Sequence, residues 1–293
     1  MEMVYDYPLY RPPSEADSMI FQVTLGCSFN KCSFCSMYRT KEYVERPWEE
    51  LKAEIDMAAK FYPETRRVFL ADGDALNLQS RSLLQILKYL YQQFPMLDRV
   101  SCYAMPKNLI QKKDEELRDL KVAGLQMLYI GIESGNDLVL RKVTKGATYS
   151  TIVQACQKAK SHGFILSCMI ILGLGGKTYT KYHIADTARI LSEISPDYVG
   201  ALTLYLEDSV YQEFMTKFGE PFIPLEDDDI LHELEQLIGN FKPKVPVVFR
   251  ANHASNLYSI KGTMPADREK ILSLIKSLKS HPEMRKPKFL RRF

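Results

Sequence analysis

Nowhere does this chain keep to apolar residues for the roughly 20 positions that a membrane-spanning helix requires. Its longest apolar stretch, residues 164–174, meets glycine at once, so no membrane segment is expected. The opening Met-Glu-Met-Val-Tyr-Asp-Tyr-Pro lacks the basic start and apolar core of a secretory signal, and the expected location is cytoplasmic. An excess of one charge is also missing. Against 39 Lys and Arg stand 36 Asp and Glu, and a formal net charge of +3 is too small to imply a polyanionic partner. Only residues 284–293 are locally basic, and a solvated tail is a simpler reading of them than a nucleic-acid arm. Cysteine is sparse: six in 293 residues do not make a secreted disulfide framework, and a reducing compartment keeps such thiols available to metal. There is no low-complexity segment and no Walker loop, because Gly176-Lys177-Thr178 lacks the first glycine at the required distance.

Against that sparseness, three thiols crowd into nine residues, in Gly26-Cys27-Ser28-Phe29-Asn30-Lys31-Cys32-Ser33-Phe34-Cys35. A structural zinc site wants a fourth Cys or a His nearby, commonly in a second Cys-x-x-C pair. In the next hundred residues only Cys102 follows. Three thiolates leave one position of a four-iron cluster without a protein ligand, and an open iron lets a small molecule coordinate and take an electron. The plain alternative is three buried thiols. Cys102, Cys156 and Cys168 lie in apolar or helix-like segments and read as core.

With 46% hydrophobic and 26% charged residues, the chain has material for one large core or for a barrel with an appendage. Apolar, β-branched runs at 19–25, 68–71, 100–104, 127–132, 165–172 and 198–204 read as buried strands. Helical spacing separates them: Leu51, Ile55 and Ala58; Leu83, Leu87, Leu90 and Tyr91; Leu117 and Leu120; Ile152, Cys156 and Ala159; Ile184, Ala188 and Leu191. Ser80, Asp114 and Ser150 stand where N-caps are expected, and Gly124 and Gly163 where helices should stop. Six strand-then-helix units predict an α/β fold, a parallel sheet curved into part or all of a barrel. Chemistry collects at the C-terminal ends of such strands. There lie the cysteine loop, Asp72-Gly73-Asp74, Glu133-Ser134-Gly135 and Gly173-Leu174-Gly175-Gly176.

These residues together resemble those of a radical S-adenosylmethionine (SAM) enzyme, from about residue 15 to 205. The family's usual signature has three residues between its first two cysteines and two between the last pair; here the first gap holds four. The resemblance implies a partial (β/α)6 TIM-like barrel over 19–205, after an N-terminal extension (1–18). A mainly helical C-terminal extension (206–293) would cover the open side and contribute to the substrate site. It implies that Cys27, Cys32 and Cys35 bind a [4Fe-4S] cluster whose fourth iron takes the amine and carboxylate of SAM. Phe34 either approaches the adenine or packs beneath the loop. Gly73 and Asp74 stand where the family receives the methionyl ammonium, although an ordinary turn also favours Asp and Gly. The run Ile130-Gly131-Ile132-Glu133-Ser134-Gly135-Asn136-Asp137, with Thr144-Lys145-Gly146, is similar to a segment of anaerobic coproporphyrinogen oxidases, methylthiotransferases and the radical domain of the Elongator acetyltransferase. By that likeness Glu133 and Ser134 contact the cofactor and Lys145 pairs with its carboxylate; alternatively Lys145 is an exposed helix-end charge. Leu174 lies in the motif whose backbone reads the adenine. Met169 occupies the place of an acidic ribose ligand, so by the resemblance the ribose contacts fall to Ser167 or elsewhere.

The implied chemistry is one-electron cleavage of SAM to a 5′-deoxyadenosyl radical that takes hydrogen from a small-molecule substrate, with flavodoxin or ferredoxin as external electron donor. His253, in the polar run 249–256, is the candidate catalytic residue, or else part of a capped turn. No added RNA-binding, auxiliary-cluster or cobalamin domain is evident. Two other functions remain: a non-catalytic iron–sulfur or zinc protein for electron transfer or sensing, and an RNA-modifying member of the same superfamily.

Overall fold

The computed structural model describes residues 5–291. Residues 1–4 of the opening segment and the last two residues of the basic tail lie outside the described residues. From the N-terminus run β1 (Met19–Gln22), β2 (Thr24–Leu25), β3 (Val44–Glu45), α1 (Trp48–Phe61), β4 (Arg67–Ala71), α2 (Ser80–Gln93) and β5 (Arg99–Ala104). Next come α3 (Pro106–Gln111), α4 (Asp114–Val122), β6 (Leu125–Glu133), α5 (Asp137–Lys142), α6 (Tyr149–Ser161), β7 (Ile165–Leu172) and α7 (Gly176–Ile194). The chain continues through β8 (Tyr198–Thr203), α8 (Asp208–Phe218), α9 (Asp227–Asn240), β9 (Val247–Ala251), β10 (Ile260–Met264) and α10 (Arg268–Ser280).

Two compact units divide these elements. The first comprises residues up to Asn30, Met37–Ile130 and Gln157–Leu166; the second comprises Lys31–Ser36, Gly131–Cys156 and the chain from Ser167 onward. In the first unit β1, β4, β5 and the start of β6 are parallel neighbours in that order. Val68, Phe69, Leu70 and Val100 are fully buried there. Burying each such side chain contributes about 1.5–3 kcal/mol, which is why the apolar runs become central strands. In the second unit the end of β7 is followed by β8 and then β9, all parallel, and β10 closes the row antiparallel.

The expected strand at 19–25 is broken after Gln22. Thr24 and Leu25 leave it to pair antiparallel with Glu45 and Val44, closing the base of the segment that carries the cysteines. The extension from 206 holds three helices and two strands that the apolar pattern does not announce, β9 and β10. Helix stops fall as expected, at Gly124 and Gly163, whereas helix starts do not. Ser80 and Asp114 are the first helical residues rather than caps. Thr148 caps α6, accepting from the Thr151 N–H at 3.3 Å, so Ser150 lies inside the helix. Ser80 Oγ instead accepts from the buried Lys112 ammonium at 3.2 Å.

Candidate functional site

In the first unit the ends of β2 and β4 converge on Cys27. Gly73 N donates to Gly26 O at 3.0 Å, and a Cβ on Gly73 would stand 3.1 Å from the Cβ of Cys27 and 2.5 Å from the Tyr38 ring. Only glycine permits that approach. Asp72, fully buried and absent from the sequence-derived candidates, ties the turn together. Its carboxylate accepts from Gln22 Nε2 (3.0 Å), Gly26 N (3.0 Å) and Lys41 Nζ (3.1 Å). Burial pushes the Asp72 carboxyl up, and those three donors pull it back.

Asp74 is also fully buried, accepts a short hydrogen bond from Ser28, and leaves Oδ1 without a hydrogen-bond partner. Ser28 in turn accepts from Lys107 Nζ at 3.0 Å. Burial pushes Asp74 up to about 6 from the ordinary 3.8, against the Ser28 hydroxyl and the Lys107 charge. As pH rises, the unfolded carboxyl therefore ionises before the folded one. The folded state loses about 3 kcal/mol between those two values, and the loss is complete above 6. Asp74→Asn, which cannot ionise, should gain stability over the parent by about 2 kcal/mol more at pH 7.5 than at pH 4.5 in urea unfolding. A difference independent of pH would contradict a buried, unpaired carboxylate.

In the second unit β6 ends at Glu133, whose φ of +64° lies in the left-handed region, at a cost of about 1 kcal/mol or more for a side-chain-bearing residue. Its Oε1 meets Lys145 Nζ at 2.9 Å, with both side chains about nine-tenths buried. Burial alone would pull the Lys145 ammonium down. The carboxylate of Glu133 and the thiolates of Cys32 and Cys35 outweigh it and hold Lys145 above the usual lysine range. A Cβ at Gly131 would fall 2.0 Å from Glu133 Oε1 and 2.9 Å from Lys145 Nζ, so glycine there makes room for the pair. Ser33 N donates to Val143 O at 3.0 Å, fastening the segment of Cys32 and Cys35 to the end of α5. Half-buried Phe34 packs against the cluster formed by Val139, Val143, Ile171, Leu174, Phe214 and Phe218.

Ser134 is fully buried and its hydroxyl meets His183 Nδ1 at 2.8 Å. His183 Nε2 donates to the carbonyl of Ile171 at 3.0 Å, which fixes the ring beside Ser134. The same hydroxyl accepts from Asn136 N at 3.0 Å. Gly135 N donates to Thr187 Oγ1 (3.0 Å), Asn136 Nδ2 to Asp186 Oδ2 (2.7 Å), and a Cβ at Gly135 would lie 2.1 Å from Asp186 O. The 133–136 turn is thus pressed onto α7. His183 and Thr187 are not among the sequence-derived candidates; a polar side chain among the apolar positions of α7 is the signal that could have found them.

The other candidates are more scattered. Ser167 is the third residue of β7, five positions before the strand end, about 16 Å away at ordinary strand rise. It does not join the strand-end group. Leu174 is fully buried, its side chain in the cluster under Phe34. His253 Nδ1 accepts from Ser255 N at 3.2 Å and so carries no proton, and Ser255 Oγ accepts from Thr203 N at 3.1 Å. That is the capped-turn arrangement, at the end of β8. Burial and, after it, Lys286 hold the His253 imidazole below its ordinary value.

Among the described residues no three His, Cys, Asp or Glu side chains form a cage for a single metal ion. A cubane instead places each thiolate on its own iron, a wider arrangement than a one-ion cage. No disulfide involves any of the six cysteines. No described helix is long and apolar enough to cross a membrane. Three cations of the basic tail are paired within the chain: Arg285 with Asp228 (2.7 Å), Lys288 with Glu226 (2.7 Å), and Arg291 through both guanidinium nitrogens with Asp227 (2.7 and 2.8 Å). Those three charges are answered by the acidic start of α9.

The family model described as the radical SAM superfamily matches residues 21–189, more than half of the chain and all three clustered cysteines. The heme chaperone HemW of Bacillus subtilis (strain 168) is 21% identical over 210 residues, 71% of this chain and 54% of that protein. The chain therefore spans about half the length of the curated relative it matches. The solved structure of coproporphyrinogen III oxidase (HemN) from Escherichia coli, a radical SAM enzyme, is similar with a TM-score of 0.58 and 17% identity, covering 76% of this chain and 52% of that one. Methylornithine synthase (PylB) gives 0.53 and 17%, covering 77% and 63%. At such identities the likeness establishes the fold, an α/β arrangement of the TIM-like barrel class with a mainly parallel sheet. The superfamily's cofactors are a [4Fe-4S] cluster and SAM. The chain belongs to the radical SAM superfamily.

Proposed function

We propose that the chain is a radical SAM enzyme in which Cys27, Cys32 and Cys35 hold a [4Fe-4S] cluster. The matched region contains the three thiols, and what supports the reading most is the buried Lys145, salt-bridged to Glu133 and under the influence of Cys32 and Cys35. When bound, the cluster supplies the electron that breaks the 5′ carbon–sulfur bond of SAM, and the resulting 5′-deoxyadenosyl radical takes hydrogen from the substrate. The residues present suit the pair of cofactors. The orphaned, buried Asp74 Oδ1 accepts the methionyl ammonium, and Lys145, released in part from Glu133, takes the carboxylate. Gly73 keeps the first turn open, and the backbone at Leu174 reads the adenine above Phe34. Ser134 acts on the cofactor by fixing the Glu133 turn through His183. The electron comes from flavodoxin or ferredoxin, and residues 206–293 contribute to a small-molecule substrate site.

The test is anaerobic incubation of reconstituted, dithionite-reduced protein with SAM, followed by chromatography. Formation of 5′-deoxyadenosine is expected even without the substrate. Its absence from protein with an intact cluster would favour a second reading, suggested by the likeness to a protein named as a heme chaperone: that the chain binds and hands on its small molecule without radical chemistry.

A further inference from the structure

We propose that Glu233 is the positioning residue of the glycine turn at 173–176, and that residues 222–233 of the C-terminal extension thereby build part of the nucleotide subsite. The inference rests on the radical SAM reading above. Glu233 lies on the buried face of α9, with 1% of its surface exposed. Its Oε2 accepts from Gly173 N at 2.7 Å and its Oε1 from Thr180 Oγ1 at 2.6 Å. Among the described residues no cation pairs with it. Such a carboxylate is costly to bury, and what offsets the cost is two strong hydrogen bonds and the positive N-terminal end of the 19-residue α7.

The turn it grips is closed by a hydrogen bond of its own, Gly176 N to Gly173 O at 3.0 Å, and is otherwise built of residues with little to stiffen it. Gly173 (φ +80°) and Gly176 (φ +56°) both sit in the left-handed region, where glycine loses the most freedom on ordering. The extension fixes it at three further points. Ile230 Cδ1 lies 3.0 Å from the Cβ position of Gly173, the Phe222 ring 2.8 Å from that of Gly176, and Lys177 N donates to Ile223 O at 2.8 Å. The backbone between the two glycines therefore reaches a ligand already ordered, and binding avoids the ordering cost.

Amide hydrogen exchange on the cofactor-free chain and equilibrium dialysis of SAM with the anaerobically reconstituted protein test this. Glu233→Leu should speed exchange at 173–176 and weaken SAM binding by roughly tenfold or more, with the cluster's visible absorbance unchanged. Glu233→Gln should stay within about threefold of the parent, because its carbonyl accepts from Gly173 while its amide donates to the Thr180 oxygen. Should the leucine variant fail to fold, Thr180→Val carries the test, with a loss of about threefold or more expected. Parent-like exchange and affinity in Glu233→Leu, or in Thr180→Val where that replaces it, would overturn the inference, as would a glutamine variant as weak as the leucine one. If the parent protein itself binds no SAM, the functional reading falls and takes this inference with it; parental binding retained by the variants removes the inference alone.

Discussion

Alanine at Cys27, Cys32 or Cys35 is expected to abolish the brown chromophore after anaerobic reconstitution and to reduce 5′-deoxyadenosine formation to background. Alanine at Cys102, Cys156 or Cys168 should leave both intact. The two groups differ physically as well as by position. Cys27, Cys32 and Cys35 are all part-exposed, whereas Cys102, Cys156 and Cys168 are fully buried. Burial raises the Cys102 thiol far above its ordinary value, which suits a small apolar core residue and disfavours the thiolate that a metal requires. The reconstituted visible spectrum measures the outcome on an order-of-magnitude scale, since each of the three thiolates holds a different iron and none can stand in for another. Equal loss in both groups would remove the ligand assignment.

The second large effect belongs to Lys145→Met. With its ammonium gone, Glu133 keeps a carboxylate that is about nine-tenths buried and held at an unfavourable φ. Breaking one side of such a pair costs about 3–5 kcal/mol, mostly through the stranded partner. Urea unfolding should therefore show Lys145→Met at the low end of that range, because some solvent reaches the pair, and SAM binding should be lost. Adding Glu133→Gln to Lys145→Met should recover much of the stability and none of the binding. A single variant as stable as the parent, or a double variant that binds SAM, would contradict the arrangement.

Much of the fold and of the candidate site is legible in the amino-acid pattern alone. The strands at 68–71, 100–104 and 198–204 stand out because parallel strands buried on both faces carry unbroken apolar runs, and the strand ends point to Gly73, Asp74 and Glu133, with Lys145 added by the family resemblance. The break after Gln22 leaves no mark, since Thr24 and Leu25 are as strand-like as their neighbours and only Val44 and Glu45, twenty residues on, reveal the change of partner. β9 and β10 are hidden because Arg250 and Lys261 face outward and mask a short alternation. Asp72 reads as turn chemistry until its three donors are seen. Glu233 leaves a trace: it falls among Ile230, Leu234 and Leu237 on the apolar face of its helix, where an acid is out of place. Ser167 stands apart from the strand-end residues, since a run of apolar residues carries β7 on past it.

The contact of Gly135 with the main chain of Asp186 ties two stretches of sequence that are fifty residues apart. Any drift in α7 around 183–187 is felt as a change of angle at position 133, and any side chain larger than hydrogen at 135 must be answered by that helix. Segments 133–136 and 183–187 are therefore expected to vary in concert, so the tolerance of this chain to change is set in part by the middle of a helix that backs the turn.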